Sequence, residues 1–137
     1  MTDLSVVATP AVVIDLAQVD RNCARVAAYA AEHGLTWRPH VKTHKSAQVA
    51  ARQLAAGARG LSCATPREAE VMATVCDDLL LAYPPVGTDR LRRTSALAER
   101  VRLGVMLDSL ESASGLSEAV GREGASVRVL VEMDAGM

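Results

Sequence analysis

Residues 35–42 read LTWRPHVK, and their alternation decides the fold. Leu35, Trp37, Pro39 and Val41 are apolar, whereas Thr36, Arg38, His40 and Lys42 are polar. Successive strand residues point to opposite sides of a sheet, so this segment has one apolar and one cationic face. The last strand signal repeats the pattern, with Val127, Val129, Val131 and Met133 opposing Arg128, Glu132 and Asp134. In RLGVMLD, residues 102–108, Leu103, Val105 and Leu107 oppose Arg102, Gly104, Met106 and Asp108. Strands of an open doubly wound sheet are covered on both sides and read as continuous apolar runs. A charged alternate face fits a barrel better, because the lumen can hold a polar site at its C-terminal mouth.

Helix signals fill the gaps between these strands. After PAVVIDL (10–16), a short strand run, Val19, Cys23, Val26, Ala27 and Ala30 share one helical face that ends at Gly34. SAQVAARQLAAG (46–57) reads as a helix and GLSCA (60–64) as a strand. Thr65-Pro66-Arg67-Glu68 is a sharp helix start: threonine at the N-cap, proline at N1, and glutamate at N3 reaching back to the cap N–H. That helix is expected to run to about Cys76. DLLLAYP (78–84) is a buried strand, and helices follow over 89–100 and 110–124. A β-α repeat implies parallel strands with right-handed crossovers. The expected fold is α/β, a partial (β/α)8 barrel of TIM type with about five parallel strands and alternating helices. A closed barrel needs about 250 residues. Residues 1–137 are therefore expected to be the N-terminal part of a larger protein, lacking the later strands.

Composition narrows the function classes. At 50% apolar and 23% charged the chain is ordinarily globular. A net charge of −1 favours neither nucleic acid nor an anionic membrane as a partner. Aromatics are 2% with no phenylalanine, so Ala, Val, Leu and Met must build the core. Cys23, Cys63 and Cys76 are odd in number and read as buried thiols of a reducing compartment. No apolar run approaches about 18 residues and no secretory leader pattern is present, so a cytoplasmic location is expected.

The chemistry concentrates in RPHVKTHKS, residues 38–46. Lys42 is in phase with Arg38 and His40 at the mouth end of the strand, whereas Lys45 is out of phase and easily solvated. A lysine crowded by cationic neighbours and partly desolvated has a lowered pKa, as a Schiff-base lysine requires. Solvated residues at a strand end would give the same periodicity, so the pattern alone leaves both readings open.

TPAVVIDL (9–16), RPHVKTHKS, ARQLAAGARGLSCATPREAEV (51–71), DDLLLAYPPVG (77–87) and VLVEMDAG (129–136) together resemble the N-terminal half of the fold-type III pyridoxal-phosphate enzymes. The resemblance is to the D-threonine aldolase and D-serine dehydratase group, built on the alanine-racemase N-terminal barrel. It implies pyridoxal 5'-phosphate on Lys42, the first lysine of the PHxKTHK segment. It also implies a barrel followed by a C-terminal β-domain, a homodimer, small D-amino acid substrates, and a divalent metal (Mn or Zn) held by ligands outside this chain. The expected function is a lyase of D-β-hydroxy amino acids, with the isolated chain inactive. An amino-acid racemase on the same barrel and a non-catalytic cofactor-binding homeostasis protein are the rivals.

His40, His44 and Asp134 are the further candidates for cofactor binding. Tyr83 ends a strand of ambiguous phase, and Arg38 lies deeper, where it is expected to pair with Glu132. His33 at a helix C-terminus suits the macrodipole. Glu68 and Glu70 read as capping and surface charge, and Thr43 and Ser46 as helix N-caps.

Overall fold

A computed structural model describes residues 3–136. Helix α1 spans Leu16–Glu32 and α2 Ala47–Ala55, followed by strand β1 (Leu61–Cys63) and α3 (Pro66–Met72). Then come β2 (Asp78–Leu81), α4 (Thr88–Ala98), β3 (Arg102–Leu107), α5 (Leu110–Arg122) and β4 (Arg128–Val131). The four strands form one parallel sheet in the order β1-β2-β3-β4. Every crossover is a helix, as the β-α repeat dictates, and the result is part of a β/α barrel wall.

The register fixes the faces. Leu61, Leu79 and Leu103 lie side by side, as do Cys63, Leu81 and Val105. These six side chains are buried with Ala69, Met72, Leu97 and Leu116 of the covering helices. On the other face Ser62, Leu80, Gly104 and Arg128 form a row. His40 bridges Ser62 in parallel, which puts it in that row, while Val41 is fully buried in the helix-side core. His40, Arg38 and Arg128 thus share the face away from the helices, as the alternation requires, whereas Lys42 has already entered a 3-10 turn.

Two expected strands are not formed. Residues 8–15 carry no strand, and Val12 is 92% exposed. Nothing among the described residues pairs with this segment, and its polar end is taken up by Asp15, which caps α1 by accepting from Gln18 N–H at 3.1 Å. LTWRPHVK lies beside β1 but makes only the single bridge at His40. The segment accepts, through Trp37 O from Arg59 N–H and Pro39 O from Ser62 N–H. Proline has no N–H to return, so the ladder cannot continue. A 3-10 turn, Val41–Thr43, then ends the segment.

Smaller departures also have causes. Helix α3 stops at Met72 instead of Cys76, because Val75 N–H turns to Met72 O and the Thr74 hydroxyl donates to Val71 O. The Glu68 carboxylate reaches one residue past the cap and accepts from Ala64 N–H at 2.8 Å. Cys23 and Cys63 are buried as expected, but Cys76 is half-buried, and all three are free thiols. Among the described residues no helix is long and apolar enough to cross a membrane.

A polar plug closes the non-helical face near the strand starts. Arg38 and Arg128 each donate to Asp78 Oδ1 at 2.8 Å, and Arg38 also donates to Asp78 O at 2.9 Å. The expected Arg38–Glu132 pair is not made; Asp78 takes the guanidinium because it opens β2 on the same face. Gly60 makes this approach possible, since a Cβ there would run into the Arg38 guanidinium and the Asp78 carbonyl oxygen. Gly60→Ala is expected to destabilise the fold by about 2 kcal/mol, as overpacking against backbone does. A urea midpoint equal to that of the parent protein would refute this.

Candidate active site

The C-terminal ends of parallel strands form one edge of the sheet, and Lys42 and Asp134 each follow a segment that ends there. Lys42 sits on the exposed 3-10 turn just beyond the His40 bridge. Its backbone N–H donates to His40 Nδ1 at 3.2 Å. That nitrogen must be unprotonated to accept, so the His40 ring is neutral in this geometry. Burial, and then the Lys42 charge, hold His40 below the ordinary histidine range against the opposing pull of Glu68. The turn thus leaves the Lys42 side chain exposed, with its backbone N–H on an imidazole that carries no charge.

Lys45 is in the left-handed region at φ 51°, the only such non-glycine residue described. Its N–H closes the turn on Val41 O at 2.8 Å, and its Nζ lies 3.3 Å from Glu68 Oε1. The Glu68 side chain is 9% exposed and that of Lys45 65%. Sequence reasoning assigned Glu68 to capping alone. The capping signature explained it fully, and nothing local shows that its second oxygen faces a loop twenty-odd residues upstream.

The other candidates separate. Asp134 lines a cavity of about 390 Å³ with Tyr83, Asp108 and Glu132, residues that follow β2, β3 and β4. Its Oδ1 accepts from Gly136 N–H at 2.9 Å. Tyr83 is therefore at the mouth, settling its ambiguous phase. His44 lines a different cavity, also about 390 Å³, with Val12, Ile14, Cys23, Val49 and Gln53 against α1 and α2. Its Nδ1 accepts from Ser46 N–H at 3.1 Å, and its Nε2 is buried without a partner, as is Gln53 Oε1. Ser46 caps α2, accepting from Val49 N–H, whereas Thr43 ends the 3-10 turn and caps nothing. His33 is the C-cap of α1, the place its sequence position gave it, and its ring stacks on Tyr29. Cys63 faces the helices, and burial pushes its thiol up to about 12, which leaves no thiolate for chemistry.

An accessible amine on a turn at the strand ends, in a partial β/α barrel, is matched by a known family. Residues 14–137 match the alanine racemase, N-terminal domain. The chain belongs to that family. Among curated proteins it is 37% identical to D-threonine aldolase of an Arthrobacter species, over 97% of this chain and 35% of that protein. It is 41% identical to D-threo-3-hydroxyaspartate dehydratase of Delftia sp. strain HT23, over 92% of this chain and 33% of that protein. In structure it is similar to D-threonine aldolase from Filomicrobium marinum, with a TM-score of 0.90 and 39% identity, covering 95% of this chain and 36% of that one. A dehydratase variant solved in a metal-free form gives a TM-score of 0.84 at 36% identity, covering 97% of this chain and 35% of that one. The chain spans about a third of the length of the curated relatives it matches.

As a member of the alanine racemase N-terminal domain family, the chain can be tested for fit to pyridoxal phosphate. The aldehyde end fits: Lys42 offers an exposed primary amine on a turn whose backbone is fixed by the neutral His40 ring. Asp108, Glu132 and Asp134 make the cavity beyond β2, β3 and β4 anionic, which suits an ammonium group and not a phosphate.

Proposed function

We propose that this chain carries the cofactor-bearing lysine of a pyridoxal-phosphate-dependent lyase of D-β-hydroxy amino acids, working within a longer homodimeric protein. The observation that carries the reading is Lys42 on its turn at the strand ends, in a chain 37% identical to a D-threonine aldolase. When bound, the cofactor supplies an electron sink for bond cleavage at the substrate α-carbon.

The chain's own residues hold and orient. Lys42 Nζ is the attachment point. His40 fixes the turn by accepting the Lys42 N–H, and its neutral ring keeps the amine from facing a second cation there. Asp134, with Glu132 and Asp108, draws the substrate ammonium toward the mouth. Tyr83 forms the wall of the same cavity. His44, turned toward α1 and α2, acts on the turn from behind, through its bond with Ser46 N–H. Among the described residues no cluster of three or more His, Cys, Asp or Glu could hold a metal ion; a divalent ion, Mn²⁺ or Zn²⁺, would be held by residues elsewhere in the longer protein, where it would supply a Lewis acid.

The test is to supply the full-length gene product with pyridoxal phosphate and Mn²⁺ or Zn²⁺ and assay three substrates. Glycine and acetaldehyde from D-threonine mark an aldolase. Ammonia with a keto acid from D-serine or D-threo-3-hydroxyaspartate marks a dehydratase. The expected result is turnover of at least one, abolished by chelation. A cofactor-loaded protein inert toward all three would overturn the lyase reading.

A further inference from the structure

We propose that Glu68 is a positioning residue for Lys42, acting through Lys45 to close the turn that presents the Lys42 amine at the strand ends. The inference rests on Lys42 being the attachment lysine. Its evidence is a geometric mismatch that capping does not explain.

A glutamate in a capping box needs one oxygen, and here Oε2 meets that need on Ala64 N–H. Glutamine would serve as well, because an amide oxygen also accepts. The second oxygen, in a side chain almost wholly removed from water, faces Lys45 Nζ. A carboxylate is kept there although burial disfavours charge.

Lys45 is the reciprocal oddity. Its φ of 51° is a conformation glycine adopts freely and lysine resists. Its exposed side chain gains little from packing, so the ion pair is what the side chain sets against the backbone cost, beside the bond its own N–H makes. The residue so held donates its N–H to Val41 O, and with His44 N–H to the same oxygen it fixes the turn containing Lys42. The turn is thus tied at both ends, by His40 before Lys42 and by Glu68 through Lys45 after it. Around Glu68 the charged and titratable groups are His40, Lys45 and Cys63, and Glu68 is the carboxylate pulling on the His40 proton.

The experiment compares variants of the full-length gene product by the rate at which pyridoxal phosphate followed by borohydride labels Lys42, read by peptide mass. Glu68→Gln and Lys45→Met are each expected to slow labelling about tenfold, and the double variant no further, as for one held left-handed residue released. Lys45→Gly combined with Glu68→Gln is expected to recover the rate to within about twofold, since glycine takes that φ without help. Melting of Glu68→Gln should stay close to the parent, because the cap is retained. Unchanged labelling of Lys42 in Glu68→Gln, or no recovery with glycine at position 45, would overturn the positioning role while leaving Lys42 as the attachment residue. A label on another residue in the parent protein would overturn both.

Discussion

Lys42→Ala is expected to abolish the pyridoxyl label that borohydride fixes on the protein, and to lower turnover of the full-length gene product by roughly 10⁴-fold or more, the scale on which loss of a covalent nucleophile acts. Two lysines stand three residues apart, and their surroundings differ in kind. Lys42 is exposed on the turn with its N–H bound to the neutral His40 ring. The Lys45 Nζ is held at 3.3 Å by a nearly buried carboxylate and must give up that contact before it can reach an aldehyde, whereas Lys42 has no such partner among the described residues. Peptide mapping should therefore place the label on Lys42 in the parent protein and find none on Lys45 in the alanine variant. A label that persists on Lys45 would overturn the assignment.

Asp78→Asn is expected to cost about 3 kcal/mol in urea unfolding, without changing the labelling of Lys42. Asp78 is 8% exposed in its side chain and accepts from two guanidiniums, so its removal strands Arg38 against the sheet. Breaking a fully buried pair costs about 3–5 kcal/mol. Arg128 is half exposed and finds water, which puts the expectation at the lower end. Burial pushes the Asp78 carboxyl upward, but bonds from Arg38 and Arg128 outweigh it and hold the group below the usual carboxylate range. A carboxylate depressed in the folded state stabilises fully above its unfolded value, near pH 4. That contribution is lost as pH falls through the lower folded value. Stability of the parent protein should therefore drop more steeply below about pH 4 than that of Asp78→Asn. Parallel acid-denaturation curves for the two proteins would show that Asp78 does not carry this dependence.

The sequence by itself determined the alternating architecture and the phase of those segments whose residues alternate. Leu103, Val105 and Leu107 had to face the helices once the period of two was recognised, and the structure buries all three. The Thr65–Glu68 cap was also a local matter, settled by the Thr65 hydroxyl accepting from its own helix at Glu68 N–H. Lys42 emerged for the same reason, as a charge in phase with Arg38 and His40 at the end of an apolar-backed segment.

Other features depended on contacts between residues far apart in sequence. Whether LTWRPHVK becomes a ladder strand depended on what Pro39 could donate to β1, and the missing N–H left one bridge. That Arg38 would choose Asp78 over Glu132 depended on the register of β2 against β3 and β4. His44 and His40 are four residues apart and look alike as sequence, yet the 3-10 turn sends one ring toward α1 and α2 and leaves the other at the Lys42 backbone. Glu68 gave no sign of its second partner, because an ion pair across a packed interface leaves no periodic trace. Periodicity reports which way a side chain points; only packing brings together the groups that share a direction, and the chemistry of a site depends on that meeting.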